Sequence, residues 1–469
     1  MVRSHWLEEA LAEERDEAST PPLEGDSRAD ICIVGGGYTG LWTALRLKES
    51  DPAIDVVVLE SDVCGGGASG RNGGMVLSWW AKFVKLEKLC GTEEAIRLAK
   101  ASEDAVREIG TFCEAHAIRA DYLYDGWLWL ATSPPQNGAW TETMAALECH
   151  GLRPFRAVDS AEIQSRCASP VHLSGVFEET AATVQPAKLA RGLRRVALQR
   201  GIRIHERSAM RDLGDGARLT VRTDTGTLRA DKVVLAMNAW GVRFPDLRKA
   251  MVVVSSDIIV TEPLPERLRE IGWTTGLGIS DSRMLVHYYR TTTDGRIAFG
   301  KGGGGGTLGF GSSVGEAFEG ESRYEDYLRR WFEFTFPGLR GVRCPRTWTG
   351  PIDRSKSAMP LFGSLPGRPR VLFAIGFSGN GIGPTVVAGR ILASLALDRK
   401  DEWSACGLIR HPTRDFPPEP IRYLGGKLVQ EAVRRRDLAE DEGRRPGVIV
   451  RAVAALAPAG LSPVKKKSG

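Results

Sequence analysis

The sequence predicts an α/β fold in which helices cover a parallel sheet, a second antiparallel sheet is interleaved with the first, and a helical tail closes the chain. Three observations predict it. Two apolar runs near the N-terminus, Ile31–Val34 and Val56–Leu59, flank a glycine break and a helical stretch, the pattern of one βαβ unit. In mid-chain, Met251–Thr261 and Met284–Lys301 mix apolar and aromatic residues as antiparallel strands do. After Arg399 the chain becomes Pro-rich, then basic and helical. Its 469 residues are too many for one small core, so at least two packed units are expected.

The elements follow in order. Ser4 caps a first helix that runs to about Asp16. A Pro- and acid-rich loop, Ser19–Arg28, leads to the first strand. Gly35–Gly40 breaks it, Leu41–Lys48 has helical character, Asp51-Pro52 ends that helix, and Val56–Leu59 is the second buried strand. Glu93–His116 reads as a long amphipathic helix, Tyr122–Ala131 as an aromatic strand and Gln185–Gly201 as another helix. Arg218–Ala236 reads as a meander turning at Asp224-Thr225-Gly226 and leading into Asn238-Ala239-Trp240. The glycine run 302–306 reads as a mobile or anion-facing loop. Val371–Ile375 is a strand, followed by a glycine turn and a helix Val386–Leu397. Leu428–Arg436 is helical, and Val464–Gly469 is expected to be disordered. The expected division is 1–28 as helix and linker; 29–85, 180–250 and 345–400 as one discontinuous unit; 86–179 and 251–344 as a second; and 401–469 as a helical extension.

Bulk properties exclude several classes. A net charge of +5 spread over the chain is too weak to argue for nucleic acid, and it does not repel an anionic substrate. The eight cysteines form no CxxC pair and the seven histidines no HExxH spacing, so neither a disulfide framework nor a metal site is expected. The N-terminus lacks the apolar core of a signal peptide, and no window of about 18 uninterrupted apolar residues marks a membrane span. The expected location is the cytoplasm.

Gly35, Gly37 and Gly40 form GxGxxG between a strand and a helix. The first glycine permits the turn, the second lets backbone approach a pyrophosphate, and the third lets helix and strand pack closely. Tyr38 and Thr39 open the helix, whose free N–H groups suit phosphates. Glu60 ends the second strand, twenty residues after Gly40, where a carboxylate accepts hydrogen bonds from ribose hydroxyls. This motif alone leaves NAD and FAD open, while Glu60 would repel the extra phosphate of NADP.

The segment Gly65–Gly74 narrows the choice. Ser69, Gly70, Arg71, Asn72, Gly73 and Gly74 offer donors to a second phosphate and to a flavin. It resembles the continuation found in the D-amino-acid oxidase (DAO) superfamily of flavoproteins. Two more stretches resemble that family in its order: Ala236, Asn238 and Trp240 after a strand, and the turn Gly376, Ser378, Gly379, Asn380, Gly381 and Ile382. The resemblance implies a Rossmann-like FAD-binding domain of the glutathione-reductase/DAO type with an interleaved substrate domain. The family places the second turn against the flavin, where N–H groups and a helix dipole stabilise negative charge.

Within the superfamily the chain resembles one branch, the aminophosphonate oxidoreductases. The stretches are SHWLEEA, LWTALRLK, SGRNGG, VSSD, VHYYR (286–290), GPIDRS (350–355), PPEPIRY and EDEGRRP. That likeness implies oxidation of (2-aminoethyl)phosphonate or its N-methyl derivative. Hydride passes from the α-carbon to flavin N5, and the imine hydrolyses to phosphonoacetaldehyde. Oxygen or another acceptor then reoxidises the flavin, and no obligatory general base is implied. Gamma-glutamylputrescine oxidases share the plan and are the nearest competitor; glycine and sarcosine-like amines follow. A flavin-binding RNA-modification protein or a non-catalytic partner is the reading of another class.

An anionic substrate needs fixed cations, for which Arg290, Lys301 and Arg354 are the candidates, with Asn380 beside them. His287, Tyr288 and Tyr289 are the catalytic candidates. Strand alternation puts His287 and Tyr289 on one face, Tyr288 and Arg290 on the other. Trp79 and Trp80 are candidates to wall the pocket. Some sarcosine oxidases tether FAD through a cysteine in the second half of the chain. Cys344 falls a few residues before that position and Trp348 nearer to it, so non-covalent FAD is expected. Gly383 stands where those enzymes carry a carboxylate-holding lysine, which argues against a simple sarcosine-like site.

Overall fold

A computed structural model describes residues 3–14, 20–302 and 306–458. Asp16, glycines 303–305 and the end Val464–Gly469 lie outside the described residues. Among those described, two eight-stranded sheets and a two-stranded ribbon carry the β-structure.

The first sheet runs Leu361–Leu365, Arg368–Ile375, Gly226–Leu235, Gly25–Val34, Val56–Leu59, Arg203–His205, with Leu219–Arg222 and then Asp212–Gly214 branching antiparallel from Gly226–Leu235. Gly25–Val34 lies between Gly226–Leu235 and Val56–Leu59, parallel to both. Parallel strands covered on both faces read as unbroken apolar runs, as these do. Alternation divides them: Ile31, Ile33, Val56 and Val58 join one core, Cys32, Val34, Val57 and Leu59 another. The first core is roofed by helices Tyr38–Ser50, Thr92–Ala115, Pro186–Gln199 and Ile382–Ala396. Ile382–Ala396 is apolar nearly all round because it packs against Tyr38–Ser50, Thr92–Ala115 and the sheet at once.

The second sheet runs Arg346–Ser355, Met251–Val260, Ile297–Lys301, His287–Thr291, Gly278–Asp281, Trp127–Ala131, Ser174–Glu178, Phe155–Val158. It is antiparallel except where Gly278–Asp281 meets Trp127–Ala131. One face packs on helix Glu325–Thr335 through Ile259, Tyr289, Phe299, Leu328 and Phe332.

Several elements differ from expectation. The first helix is His5–Glu13, with Ser4 accepting from the Leu7 N–H. The two helices opening on glycine turns begin earlier, at Tyr38 and Ile382, because their first turns sit inside the motifs themselves. Arg346–Ser355 is a strand that the sequence conceals, since Gly350 and Pro351 interrupt its pattern. At the sheet edge a proline costs no ladder bond, and the strand pairs residue for residue with Met251–Val260. The tail helix spans Ile421–Asp441, longer than expected because Gly425-Gly426 blurs its start. With Val448–Ala454 it packs Ala432, Val433 and Ala454 onto Met284 and Leu285. Asp441 pairs with Arg283 at 2.6 Å, and Asp437 accepts from the Leu285 N–H at 3.1 Å. No helix of the described residues is long and apolar enough to cross a membrane.

Candidate active site

A cavity of about 570 Å3 opens between the two sheets, within the size range of small-molecule and cofactor sites. Its floor is the glycine turn. Gly35 has φ +116°, and a side chain there would meet the Ala236 carbonyl of the neighbouring strand at 2.4 Å. A Cβ on Gly40 would lie 1.9 Å from the Gly35 carbonyl, so helix, turn and strand touch through bare backbone. Glu60 borders the same floor. Its carboxylate accepts from Gly36 N at 2.7 Å and Asp62 N at 3.0 Å; burial pushes its pKa up and these donors pull it back.

The loop Ser69–Gly74 forms a second wall and is held from within and without. Asn72 donates to the Ala68 and Ser69 carbonyls and accepts from Gly74 N at 2.8 Å. Ser69 Oγ accepts from Tyr38 N at 2.9 Å, joining loop to helix. From outside, Ser4 Oγ donates to Gly70 O at 2.5 Å and Trp6 Nε1 to Asn72 O at 3.0 Å. Arg290 Nε donates to Gly73 O at 2.8 Å and Trp348 Nε1 to Arg71 O at 2.9 Å.

The third wall joins two segments far apart in sequence. The Asp353 carboxylate accepts from Gly376 N at 2.6 Å, its carbonyl accepts from Ser378 N at 3.1 Å, and Ser378 Oγ accepts from Ser355 N at 3.1 Å. Asn380 Nδ2 donates to Ser78 O at 3.0 Å. Burial pushes Asp353 up to about 7, and its Oδ1 has no hydrogen-bond partner. The first turn of Ile382–Ala396 opens on the cavity.

Most predicted residues line this cavity: Gly35, Gly37, Tyr38, Thr39, Glu60, Ser69, Arg71, Asn72 and Gly73; Ala236, Asn238 and Trp240; Ser378, Gly379, Asn380, Gly381 and Ile382; Tyr288 and Arg354. Gly40, Gly70, Gly74 and Gly376 are backbone positions behind its wall. Of the VHYYR side chains Val286 and Tyr288 reach it, the Tyr288 hydroxyl 2.6 Å from Ser256 Oγ.

Four candidates stand elsewhere. His287 and Tyr289 face the opposite side of the sheet. His287 lies 3.2 Å from Asp281 Oδ2 and 3.2 Å from the Tyr327 hydroxyl, and burial lowers its pKa; Tyr289 meets His172 at 2.7 Å. Lys301 shares that face, its Nζ 3.9 Å from the Tyr324 ring centroid, with burial pushing its pKa down to about 8. Arg290 lies on the cavity side, but its guanidinium is spent on Gly73, Val184 (2.6 Å) and the Trp6 ring (5.1 Å), bracing the loop from behind. Trp79 and Trp80 are core residues. Cys344 is buried away from this wall, and all eight cysteines are free thiols.

The cavity also has lining residues the sequence did not single out: Lys82, Met284, Val286, Ser256 and Asp353. Lys82 carried a signal, a lone lysine inside the apolar run Trp79-Trp80-Ala81-Lys82-Phe83.

The arrangement fits FAD. Where Gly35 and Gly40 leave no room for side chains, backbone can approach a pyrophosphate. Tyr38 and Thr39 would hold it at the helix terminus, Glu60 would hold a ribose, and the turn Ser378–Ile382 would meet the flavin.

Residues 30–395 match the family of FAD dependent oxidoreductases termed DAO. The chain is 31% identical to gamma-glutamylputrescine oxidoreductase of Escherichia coli (strain K12), over 81% of this chain and 87% of that protein. It is 27% identical to the oxidoreductase OrdL of Haemophilus influenzae, over 92% and 94%. Among solved structures, glycine oxidase from Geobacillus kaustophilus superimposes with a TM-score of 0.65 at 19% identity, covering 82% of this chain and 99% of that one, a likeness of fold.

Proposed function

Because the chain belongs to the DAO family of FAD-dependent oxidoreductases and is an enzyme acting on amines, we propose that its substrate is a small amine carrying an anionic group, (2-aminoethyl)phosphonate or its N-methyl derivative. The supporting observation is Arg354. It stands in the branch-specific segment GPIDRS, lines the cavity, and is only 6% exposed. A guanidinium in such a place suits an oxyanion.

FAD, when bound, supplies the acceptor for a hydride and so carries the redox step. The chain's residues orient and enclose. Arg354 holds the anionic end. Tyr288, fixed by Ser256, presents its ring and hydroxyl to the cavity. Leu77, Met284, Val286 and Phe377 keep water from the reacting carbon. The substrate loses a hydride and a proton, and the imine takes up water to give phosphonoacetaldehyde and ammonia or methylamine. Oxygen or another acceptor takes the two electrons.

The test is a substrate screen under air that follows flavin bleaching and peroxide together. Bleaching by (2-aminoethyl)phosphonate, and not by glycine, is the expected result. The second reading, gamma-glutamylputrescine, is favoured by the 31% identical relative of that name. Bleaching by that compound alone would replace the first reading.

A further inference from the structure

The cavity wall carries a cation that nothing so far employs. Lys82 is 3% exposed, and its Nζ donates to the Ala358 carbonyl at 2.9 Å. Among the described residues it forms no ion pair. Its charged neighbours are mostly of its own sign: Lys85 and Arg354 both disfavour its proton, and burial disfavours it more than either. Among the described residues the one acid acting on it is Asp353, whose carboxylate is turned onto Gly376 N and itself resists ionisation. Lys85 in turn feels Arg354 and, more weakly, Glu142.

Burying an ammonium such as that of Lys82 without a counter-charge is costly, and proteins keep such groups where a ligand supplies the opposite charge. Lys82 and Arg354 reach the cavity from different elements, a turn before the helix Phe83–Cys90 and an edge strand. One guanidinium fork already matches the two oxygens of a carboxylate; an ammonium from another direction calls for a further oxygen. The C-terminal extension meets the same place, since Arg354 Nη2 donates to the Pro458 carbonyl at 2.9 Å. That carbonyl is a neutral acceptor where an anion would bind more strongly.

We propose that Lys82 and Arg354 together form a subsite for a small group with three oxygens and two negative charges, of the phosphonate type, and that the Pro458 carbonyl of the extension gives up Arg354 when the ligand binds. This rests on the amine-oxidising reading only for the other end of the substrate.

Methylphosphonate, which has no amine to oxidise, tests it on the FAD-loaded enzyme. It should bind, perturb the flavin spectrum and raise the melting temperature, with acetate at least about 10-fold weaker. Lys82→Met should keep full flavin content and cut methylphosphonate affinity about 10- to 100-fold, abolishing the ligand-induced rise in melting temperature. Lys82→Arg should restore part of it, and Lys82→Gln serves if the methionine variant does not accumulate. Failure of methylphosphonate to bind, equal affinity for acetate, or binding unchanged in Lys82→Met would each overturn the subsite. So would a Lys82→Met variant whose flavin potential moves while anion binding does not. If no amine bleaches the flavin yet methylphosphonate binding depends on Lys82, the oxidase reading fails and the subsite stands.

Discussion

Gly40→Ala sets two physical effects against each other. Gly40 is in the helix Tyr38–Ser50, where alanine is the better helix former by about 1 kcal/mol. Propensity alone therefore predicts a more stable protein. The packing predicts the reverse, since the new Cβ would lie 1.9 Å from the Gly35 carbonyl oxygen and 3.2 Å from Ile33 Cγ2. An oxygen–carbon contact needs over about 1 Å more than that, and the obstacle is backbone, so helix and turn must part. Overpacking of this kind costs about 1–3 kcal/mol or more, which outweighs the propensity gain. Parting also draws Tyr38 N from Ser69 Oγ and opens the cradle. The expected result is a net loss of about 1–2 kcal/mol in urea unfolding of the apoprotein, with most FAD lost on gel filtration. The control is Gly425→Ala, also in a helix but with nothing within 4 Å of the added carbon. It should gain about 0.5–1 kcal/mol and keep its flavin. A Gly40→Ala protein as stable as the parent and fully yellow would refute the close-approach argument.

Other expected outcomes follow from the same geometry. Trp6→Ala removes the donor to Asn72 O and the edge contact with Trp348 at 5.5 Å, so FAD should dissociate at least about 10-fold more readily, as measured by fluorescence of released flavin. Arg290→Met leaves the Gly73 and Val184 carbonyls without their donor; it should lower stability by about 1–3 kcal/mol and flavin retention with it, whereas a substrate-binding Arg290 would raise KM at unchanged flavin content. Glu178 accepts from Ser78 Oγ at 2.5 Å, and burial pushes its carboxyl up from 4.5 to about 8. The folded state thus keeps a proton that the unfolded chain releases. The resulting stability is complete below pH 4.5 and declines as pH rises to about 8, by a few kcal/mol at about 1.4 per unit. Glu178→Gln removes this slope, so melting temperatures of variant and parent should diverge in the variant's favour between about pH 5 and about pH 8.5; parallel curves would show that Glu178 ionises normally.

The parts of the site built from backbone were legible in the sequence. Glycines at 35, 37 and 40 and a carboxylate at 60 admit few folds, because the steric demand of a tight turn and the spacing of a βαβ unit are local properties. The substrate end was not legible in the same way. Alternation grouped His287 with Tyr289 and Tyr288 with Arg290 correctly, but which face meets the cavity depends on where helix Glu325–Thr335 packs, a long-range choice. Arg290 lies on the right face and is still withheld from the cavity, because Gly73 and Val184 claim its donors. Arg346–Ser355 escaped notice because its pairing with Met251–Val260, not its own propensity, makes it a strand. The bond between Asp353 and Gly376 joins two motifs that the sequence shows only as separate words.

The loop around Arg71 is fastened by Ser4 and Trp6, by Arg290 and by Trp348. In a chain made from its N-terminus, the dinucleotide motif leaves the ribosome early, but Trp348, the last of those fasteners, follows only after the other seven strands of the second sheet. Ile31–Val34 likewise waits for Val233–Leu235, which in turn waits for Val371–Phe373. Such distant pairings form late and leave apolar edges open to aggregation meanwhile. Flavin loading therefore waits until segments this far apart in the sequence have met. Supplying more FAD during expression should rescue little, whereas slower translation at lower temperature, or a holdase that covers those early strands, should raise the yield of yellow protein.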